Sequence, residues 1–204
     1  MTESEFRLRF FDVIANGDID SVTQLAITGM SIFNNKNVYG PNAYLVKKDN
    51  ILDKKDEKGM SALMYASMLG KKEVVEFLLK QGAKVNLCDN NGRTALIYAS
   101  KNGYYDVVRI LVTSKADVNM CTKQKFSALH YAAMYGHDKV ANLLVINGAN
   151  VYLRDNRGHT PMIVSSSSEV RRAIMDGVET VIQNRVKNLG VNKALLDDKK
   201  RRGR

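Results

Sequence analysis

The sequence is poor in cysteine and has no long apolar run. Only two cysteines occur among 204 residues, which fits a reducing compartment. The apolar stretches fall short of the about 20 residues that a membrane-spanning helix needs. The N-terminus is acidic and lacks the basic start and apolar core of a secretory signal. We therefore expect a protein without a membrane span that stays inside the cell, in the cytoplasm.

Residues that carry catalysis or bind metals are also scarce. There are three histidines, and none has a metal-ligand spacing to Cys88 or Cys121. No glycine-rich phosphate loop or dinucleotide fingerprint occurs. The serine run Ser165–Ser168 is either phosphorylated or marks the start of a helix. We expect no enzyme activity, no catalytic residues, no metal site, no cofactor and no small-molecule substrate.

What the sequence does contain is an internal repeat. A 33-residue phrase occupies residues 56–88, 89–121 and 122–154 without a gap and begins again at residue 155. An internal period of this length indicates stacked supersecondary units. The units share a leucine, an alanine and a glycine place: Leu63, Leu96 and Leu129; Ala66, Ala99 and Ala132; Gly70, Gly103 and Gly136.

The phrase resembles the ankyrin repeat. Its third copy reads Ser127-Ala-Leu-His-Tyr-Ala-Ala-Met-Tyr-Gly-His137, and its second copy ends in Ala116-Asp-Val-Asn119. The resemblance implies an all-α ankyrin-repeat solenoid of helix-turn-helix units with β-hairpin-like fingers. It also implies a role for His130 in hydrogen-bonding its turn, with Ser127. Ankyrin stacks mostly bind other proteins, so the resemblance implies an interaction module, although a fold does not name its partner.

Within each unit, two short apolar stripes at helical spacing are separated by a break. Helices of about 8 to 10 residues are marginal alone, so each pair must pack on the next. Two lysines depart from the pattern. Lys115 stands where other units have the glycine that ends the second helix, and we expect a penalty of about 1 kcal/mol there. Lys125 replaces the finger glycine of the third unit and leaves the geometry of that finger open.

The N-terminal part differs from the repeats. Residues 1–33 keep helical apolar spacing and the twelve-residue step from Gly17 to Gly29, which predicts a degenerate capping repeat. Residues 34–55 are rich in Asn and Lys and predict a loop insertion. This loop is either loosely packed or contacts a partner. The candidate contact residues in it are Tyr39, Tyr44, Ile51 and Leu52.

The C-terminal part also departs from the pattern. Residues 155–189 predict a partial repeat followed by an amphipathic helix that either caps the stack or docks on another protein. Residues 190–204 predict a basic, flexible tail.

The two cysteines occupy the same place in successive units. Packed helices lie about 8–10 Å apart, which exceeds the roughly 7 Å limit between the Cα atoms of a disulfide. We therefore expect Cys88 and Cys121 to be free thiols.

The net charge of +10 is unevenly distributed, from −3 over residues 1–33 to +4 over residues 190–204. This distribution either serves solubility or favours an acidic partner, a nucleic acid or an anionic surface. The alternative function is therefore a nucleic-acid-associated protein that uses its basic tail and Lys-rich loop while the repeats hold a protein. The same tail cluster would favour nuclear import. It consists of Lys199, Lys200, Arg201 and Arg202.

The leading hypothesis is an adaptor, inhibitor or assembly subunit that holds a partner protein in the concave groove and against the fingers. Aromatic, Met and Arg residues at these places favour an interface, unless their side chains fold back on the neighbouring unit. Phe126 and Tyr135 are the predicted anchors. The predicted partner-binding residues are Met60, Met68, Leu69, Arg93, Lys101, Asn102, Lys123, Phe126, Met134, Tyr135, Arg157 and His159.

Overall fold

The structure, a computed structural model, describes residues 9, 12–14, 16–18, 20, 21 and 51–188. Residues 51–188 contain no β-strand longer than an isolated bridge; the bridges pair Cys88 with Thr94 and Cys121 with Ser127. A 3-10 helix, Ile51–Asp53, precedes the α-helices. These are α1 Ala62–Met68, α2 Lys72–Lys80, α3 Ala95–Asn102, α4 Tyr105–Thr113, α5 Ala128–Met134, α6 Asp138–Ile146, α7 Pro161–Val164 and α8 Ser168–Asn188.

The helices stack in two layers. The first helices of the units, α1, α3, α5 and α7, pack on one another in that order, and α2, α4, α6 and α8 form the second layer. One continuous core runs between the layers, and its small residues let the first helices approach closely. Ala66, Ala99 and Ala132 are fully buried. The predicted all-α solenoid of paired helices is therefore confirmed.

Each of the helices α1, α3 and α5 begins at a hydroxyl side chain. Ser61, Thr94 and Ser127 adopt extended backbone conformations, and their side chains accept hydrogen bonds from the amides of Met64, Ile97 and His130. Such caps satisfy amides that the first helical turn leaves free. The helix starts therefore follow directly from the Ser/Thr place in the repeated phrase.

The two lysines that replace glycine adopt the conformation of the residue they replace. Lys115 has a φ of 68° and Lys125 a φ of 62°. The third finger consequently keeps its turn. Lys125 N–H donates to the carbonyl of Thr122 at 2.8 Å, as Gly92 N–H donates to that of Asp89 at 3.0 Å. The geometry of the third finger, left open by the sequence, is that of its neighbours.

Gly17 has surroundings like those of the repeat glycine Gly70. A Cβ atom added to Gly17 would meet the side chain of Lys71 at 3.1 Å, and one added to Gly70 would meet that of Tyr104 at 2.8 Å. The two glycines therefore occupy equivalent places, and the predicted insertion lies between them in the sequence. The predicted loop 34–55 does not reach residue 55, because Ile51–Asp53 is a 3-10 helix and Leu52 is fully buried. Leu52 is thus a core residue and not an exposed contact, and residues 34–50 of the loop, with Tyr39 and Tyr44, lie outside the described residues.

The long helix α8 packs along α6. Val170 and Ile174 are buried, and Gly177 lies so close to Val145 that an added Cβ would stand 2.9 Å from its side chain. The second half of α8 is more open, with Ile182 47% exposed. The first half therefore covers the last core face, as the capping interpretation predicts, and docking of the second half stays a prediction.

Candidate functional site

Aromatic rings line the side of the stack where the fingers meet the first helices. The ring centroids of Phe126 and Tyr131 are 5.6 Å apart, and those of Tyr131 and Tyr135 are 6.4 Å apart with nearly parallel planes. Phe126 also meets the His130 ring edge-on at 5.6 Å. The finger thus supplies one ring and helix α5 supplies the others. We call the surface formed by the fingers and the exposed ends of α1, α3 and α5 the finger face.

Two cations of the second unit also lie over aromatic rings, one over Tyr135 and the other over Tyr98 of its own unit. Lys101 Nζ is 5.5 Å from the centroid of the Tyr135 ring. The Arg93 guanidinium is 6.0 Å from that of Tyr98, and hydrogen bonding to the Tyr98 phenol raises the pKa of Arg93. Cations at such distances are attracted by the negative ring face. We call these residues together the cation–ring cluster: Arg93, Tyr98, Lys101, Phe126, Tyr131 and Tyr135.

Tyr98 is held in position by a hydrogen bond to the finger of its own unit. Its hydroxyl donates to Asp89 Oδ2 at 2.7 Å. Asp89 Oδ1 accepts the amides of Asn91 and Arg93, both at 2.8 Å. Burial, followed by the hydrogen bond with Asp89, raises the pKa of Tyr98. The phenol therefore stays neutral and holds the finger against α3.

The histidines connect neighbouring units. His130 Nδ1 accepts from the Ser127 amide at 3.2 Å, and Nε2 lies 3.1 Å from the carbonyl oxygen of His159. Nε2 therefore carries the proton and donates it across the unit boundary. Burial lowers the pKa of His130. His137, which precedes α6, places Nε2 2.9 Å from the carbonyl oxygen of Lys101. The structural role predicted for His130 is confirmed.

Most of the predicted contact residues lie at the surface, but Met60 does not. Met60 is 5% exposed and belongs to the core, although Arg93 and Phe126 at the same place of the next units are half-buried. An unbranched apolar side chain is stabilised by burial, whereas Arg93 must keep its charged end in water. The expectation that Met60 is exposed was therefore wrong.

The other predicted residues differ in exposure. Tyr135 is 49% exposed. Asn102 is exposed, but its side-chain amide donates to the Met68 carbonyl at 2.8 Å. His159 Nδ1 is 3.6 Å from Asp155 Oδ2. Lys123 and Arg157 are exposed, and Met68, Leu69, Lys101, Met134 and His159 are half-buried. The tail residues Lys199, Lys200, Arg201 and Arg202 lie outside the described residues.

Sequence analysis did not single out three residues of this surface, Tyr98, Tyr131 and Lys125. Tyr131 is half-buried and stacks on Tyr135. The signal available was its spacing of four residues from Tyr135, which places both rings on one helix face. Lys125 was regarded only as a departure from glycine, although its side chain is exposed beside Phe126.

The described part of the chain also contains two thiols. Cys88 and Cys121 are free, half-buried thiols, and burial raises the pKa of Cys121. Among residues 9–21 and 51–188, where described, no group of three His, Cys, Asp or Glu side chains could hold a metal ion. None of the helices described there is both long and apolar enough to cross a membrane.

The chain is a stack of small helix pairs, and its ordered aromatic and basic side chains lie on one face. These features define a repeat protein with an ordered surface. Comparison with protein families agrees. A family model for ankyrin repeats, in three copies, matches residues 10–120, and a model for the single ankyrin repeat matches residues 124–156. The chain belongs to the ankyrin-repeat family, whose repeats are generally protein-interaction modules. No curated protein matches the chain.

Proposed function

We propose that this chain is a non-enzymatic protein-interaction module, acting as an adaptor, inhibitor or assembly subunit. It binds a partner protein through the concave groove and fingers of the stack, which correspond to the finger face. The observation that carries the proposal is the cation–ring cluster, in which exposed Tyr135 and half-buried Phe126 flank Tyr131. Aromatic and arginine residues are the side chains that dominate binding energy at interfaces.

The finger face is held in place before a partner arrives. Each finger is hydrogen-bonded to the next through the backbone: Asn90 N–H to the Lys58 carbonyl at 3.1 Å, Lys123 N–H to the Asn91 carbonyl at 2.9 Å, and Asn156 N–H to the Gln124 carbonyl at 3.1 Å. The rings also restrain one another. Because these groups are already ordered, association loses little conformational entropy. A preorganised surface supports a binding role.

The proposal is tested first by removing the predicted anchors. Replacing Phe126→Ala together with Tyr135→Ala deletes the outer two rings of the cluster. Loss of an anchor typically changes binding by about 2 kcal/mol or more, which is roughly 30-fold in Kd. We expect loss of partner capture with unchanged far-ultraviolet circular dichroism. Retained capture by the folded double variant would remove the finger face as the site.

Site-specific photo-crosslinking in cells gives an independent test. A photoreactive amino acid is placed in the full chain either at Gln124, exposed on the third finger, or at Lys139, exposed on α6 in the other helix layer. We expect a discrete protein adduct from position 124 that disappears in the Phe126→Ala, Tyr135→Ala background. An adduct formed equally from both positions would argue against a single binding face.

The nucleic-acid alternative receives no specific support. The basic tail lies outside the described residues, and among the lysines of the predicted loop 34–55 only Lys54 and Lys55 are described. Lys55 Nζ donates to the Cys88 carbonyl at 2.7 Å, so this ammonium is already engaged within the fold. We therefore do not adopt it as a second function.

A further inference from the structure

We propose that the finger face selects an extended, acidic polypeptide segment, bound by Arg93, Lys101, Lys123 and Lys125 around the rings of Phe126 and Tyr135. This inference rests on the proposed function and specifies the chemistry of the partner. It is carried by the composition of the third finger, by the lack of ion-pair partners for these cations among the described residues and by the arrangement of the rings.

The third finger departs from the other fingers at two places, and both changes increase positive charge. Where the other fingers begin with a carboxylate, as at Asp89, this one has Thr122. Thr122 Oγ1 still accepts the Phe126 amide at 3.1 Å, so the turn keeps its hydrogen bond without the negative charge. The second change is Lys125, which adopts a left-handed φ of 62° that glycine would tolerate better. Strained residues that persist often serve a function.

The four cations have no ion-pair partner in the part of the chain that the structure describes. None of Arg93, Lys101, Lys123 and Lys125 forms an ion pair with a carboxylate in the described residues, although Lys84 pairs with Asp53 and Arg109 with Asp106. The closest acid along the chain to Arg93 is Asp89. Asp89 is 7% exposed, and its oxygens are occupied by two backbone amides and the Tyr98 hydroxyl. A surface whose cations are not paired with carboxylates attracts a negative partner and disfavours a positive one.

The ring arrangement favours a polypeptide over a nucleic acid. Base binding uses open aromatic faces on which bases stack. Here Tyr135 has Tyr131 stacked against it and Lys101 over its ring. Only Lys123 and Lys125 lie together on one finger, whereas a phosphate backbone is best matched by a continuous basic track. A few carboxylates next to an apolar side chain match this surface better.

The binding test uses a defined probe. Fluorescently labelled 12-residue peptides, one of alternating Glu and Ser with a central Leu and one with Gln in place of Glu, are titrated with the full chain. Because any basic protein attracts such a peptide, the matched variants are Lys125→Gly and Lys115→Gly. Each variant removes one positive charge and the strain of one lysine with a left-handed backbone conformation. Lys115 differs in its location, because it follows α4, away from the fingers. Melting curves establish that both variants fold.

We expect the Glu peptide to bind more tightly than the Gln peptide. Lys125→Gly should weaken Glu-peptide binding by about fivefold, whereas Lys115→Gly should change it by less than about twofold, since a rim charge contributes at most about 1 kcal/mol. Equal effects of the two variants, or no preference for Glu, would overturn the inference. Oligothymidylate of 12 nucleotides is run in parallel. If it binds better than the Glu peptide and only Lys125→Gly weakens it, the occupant is a nucleic acid and the inference fails.

A second measurement separates this inference from the proposed function. A displayed library of random 12-residue peptides is selected on the wild-type chain and counter-selected on the Phe126→Ala, Tyr135→Ala variant. Binders rich in Asp and Glu support the inference. Face-dependent binders without acidic enrichment would overturn it and leave the proposed function intact. If no binder depends on the finger face, the proposed function fails, and this inference fails with it.

Discussion

The side chain of Asp53 accepts a hydrogen bond at 2.9 Å from the backbone amide of Lys84, 31 residues further along the chain. The same bond recurs between successive units. Asn86 Oδ1 accepts the Asp117 amide at 2.9 Å, and Asn119 Oδ1 accepts the Asn150 amide at 2.8 Å. Asp53 is thus the first member of a ladder that ties each unit to the next. This ladder is why the end of the predicted loop belongs to the fold.

The first prediction concerns this ladder. Asp53→Ala leaves the Lys84 amide without its acceptor and should lower the free energy of unfolding by about 1–2 kcal/mol. Asp53→Asn keeps an acceptor oxygen, as Asn86 and Asn119 do, and should be nearly neutral. Urea denaturation of the two variants measures the difference. Equal stability of Asp53→Ala and wild type would mean that the ladder does not extend to Asp53.

The second prediction concerns two buried serines. The hydroxyls of Ser67 and Ser100 are buried, and neither has a hydrogen-bond partner in the described part of the chain. In the third unit the same place is Ala133, which is fully buried. Ser67→Ala and Ser100→Ala should each stabilise the fold by about 1 kcal/mol, since a buried unsatisfied hydroxyl is unfavourable.

The control for the serine variants is Thr94→Ala. Thr94 is also buried, but its hydroxyl accepts the Ile97 amide at 3.2 Å. This change should lower the melting temperature, because a helix cap contributes about 1 kcal/mol. A fall in stability on Ser67→Ala and Ser100→Ala would show that these hydroxyls have partners in solution.

The third prediction concerns Lys115. Its φ of 68° is unfavourable for a residue with a Cβ atom by about 1–2 kcal/mol. Glycine at this place removes the strain, but its greater conformational entropy in the unfolded chain costs about 0.5–1 kcal/mol of stability relative to lysine. Lys115→Gly should therefore be stabilising by about 0.5–1 kcal/mol, raising the melting temperature by roughly 2 °C. Lys115→Ala keeps the strain and should not stabilise.

The fourth prediction is a pH dependence that originates at His130. Burial lowers the pKa of His130 below its ordinary value of 6.5. Below pH 6.5 the unfolded chain binds a proton at this histidine that the folded chain binds less readily. The contribution of His130 to the free energy of unfolding is therefore complete above pH 6.5 and is lost as the pH falls. The slope is at most about 1.4 kcal/mol per pH unit. The melting temperature of the wild-type chain should therefore fall as the pH is lowered from 7.5 to 5.5.

The matched variants for this prediction are His130→Gln and His159→Gln. His130→Gln should be less stable at pH 7.5, because it disturbs the bonds to Ser127 and His159, but its melting temperature should change less with pH. His159→Gln retains the imidazole of His130, so a larger loss of slope in His130→Gln than in His159→Gln assigns the titration to His130. An unchanged slope in His130→Gln would place the titration on another group.

The repeated phrase alone predicted the three full units, their helix starts and the turns that contain glycine. These features depend on interactions within about five residues, such as the Thr94 cap and the positive φ at Gly103. Short-range interactions of this kind can be predicted from residue types and spacing. The hydrogen bond between His130 and Ser127 was implied by the resemblance to the ankyrin repeat, and it also spans only three residues.

Only the tertiary structure decided which residues of the candidate site are buried and which rings meet. Met60, Arg93 and Phe126 occupy one place in successive units, yet one is buried while the other two lie in the cation–ring cluster. Leu52 and Asp53 follow an insertion whose length hides their register from the sequence. Burial and ring contacts depend on what the neighbouring unit presents. Sequence periodicity specifies each unit, but the surface between units exists only once they are stacked.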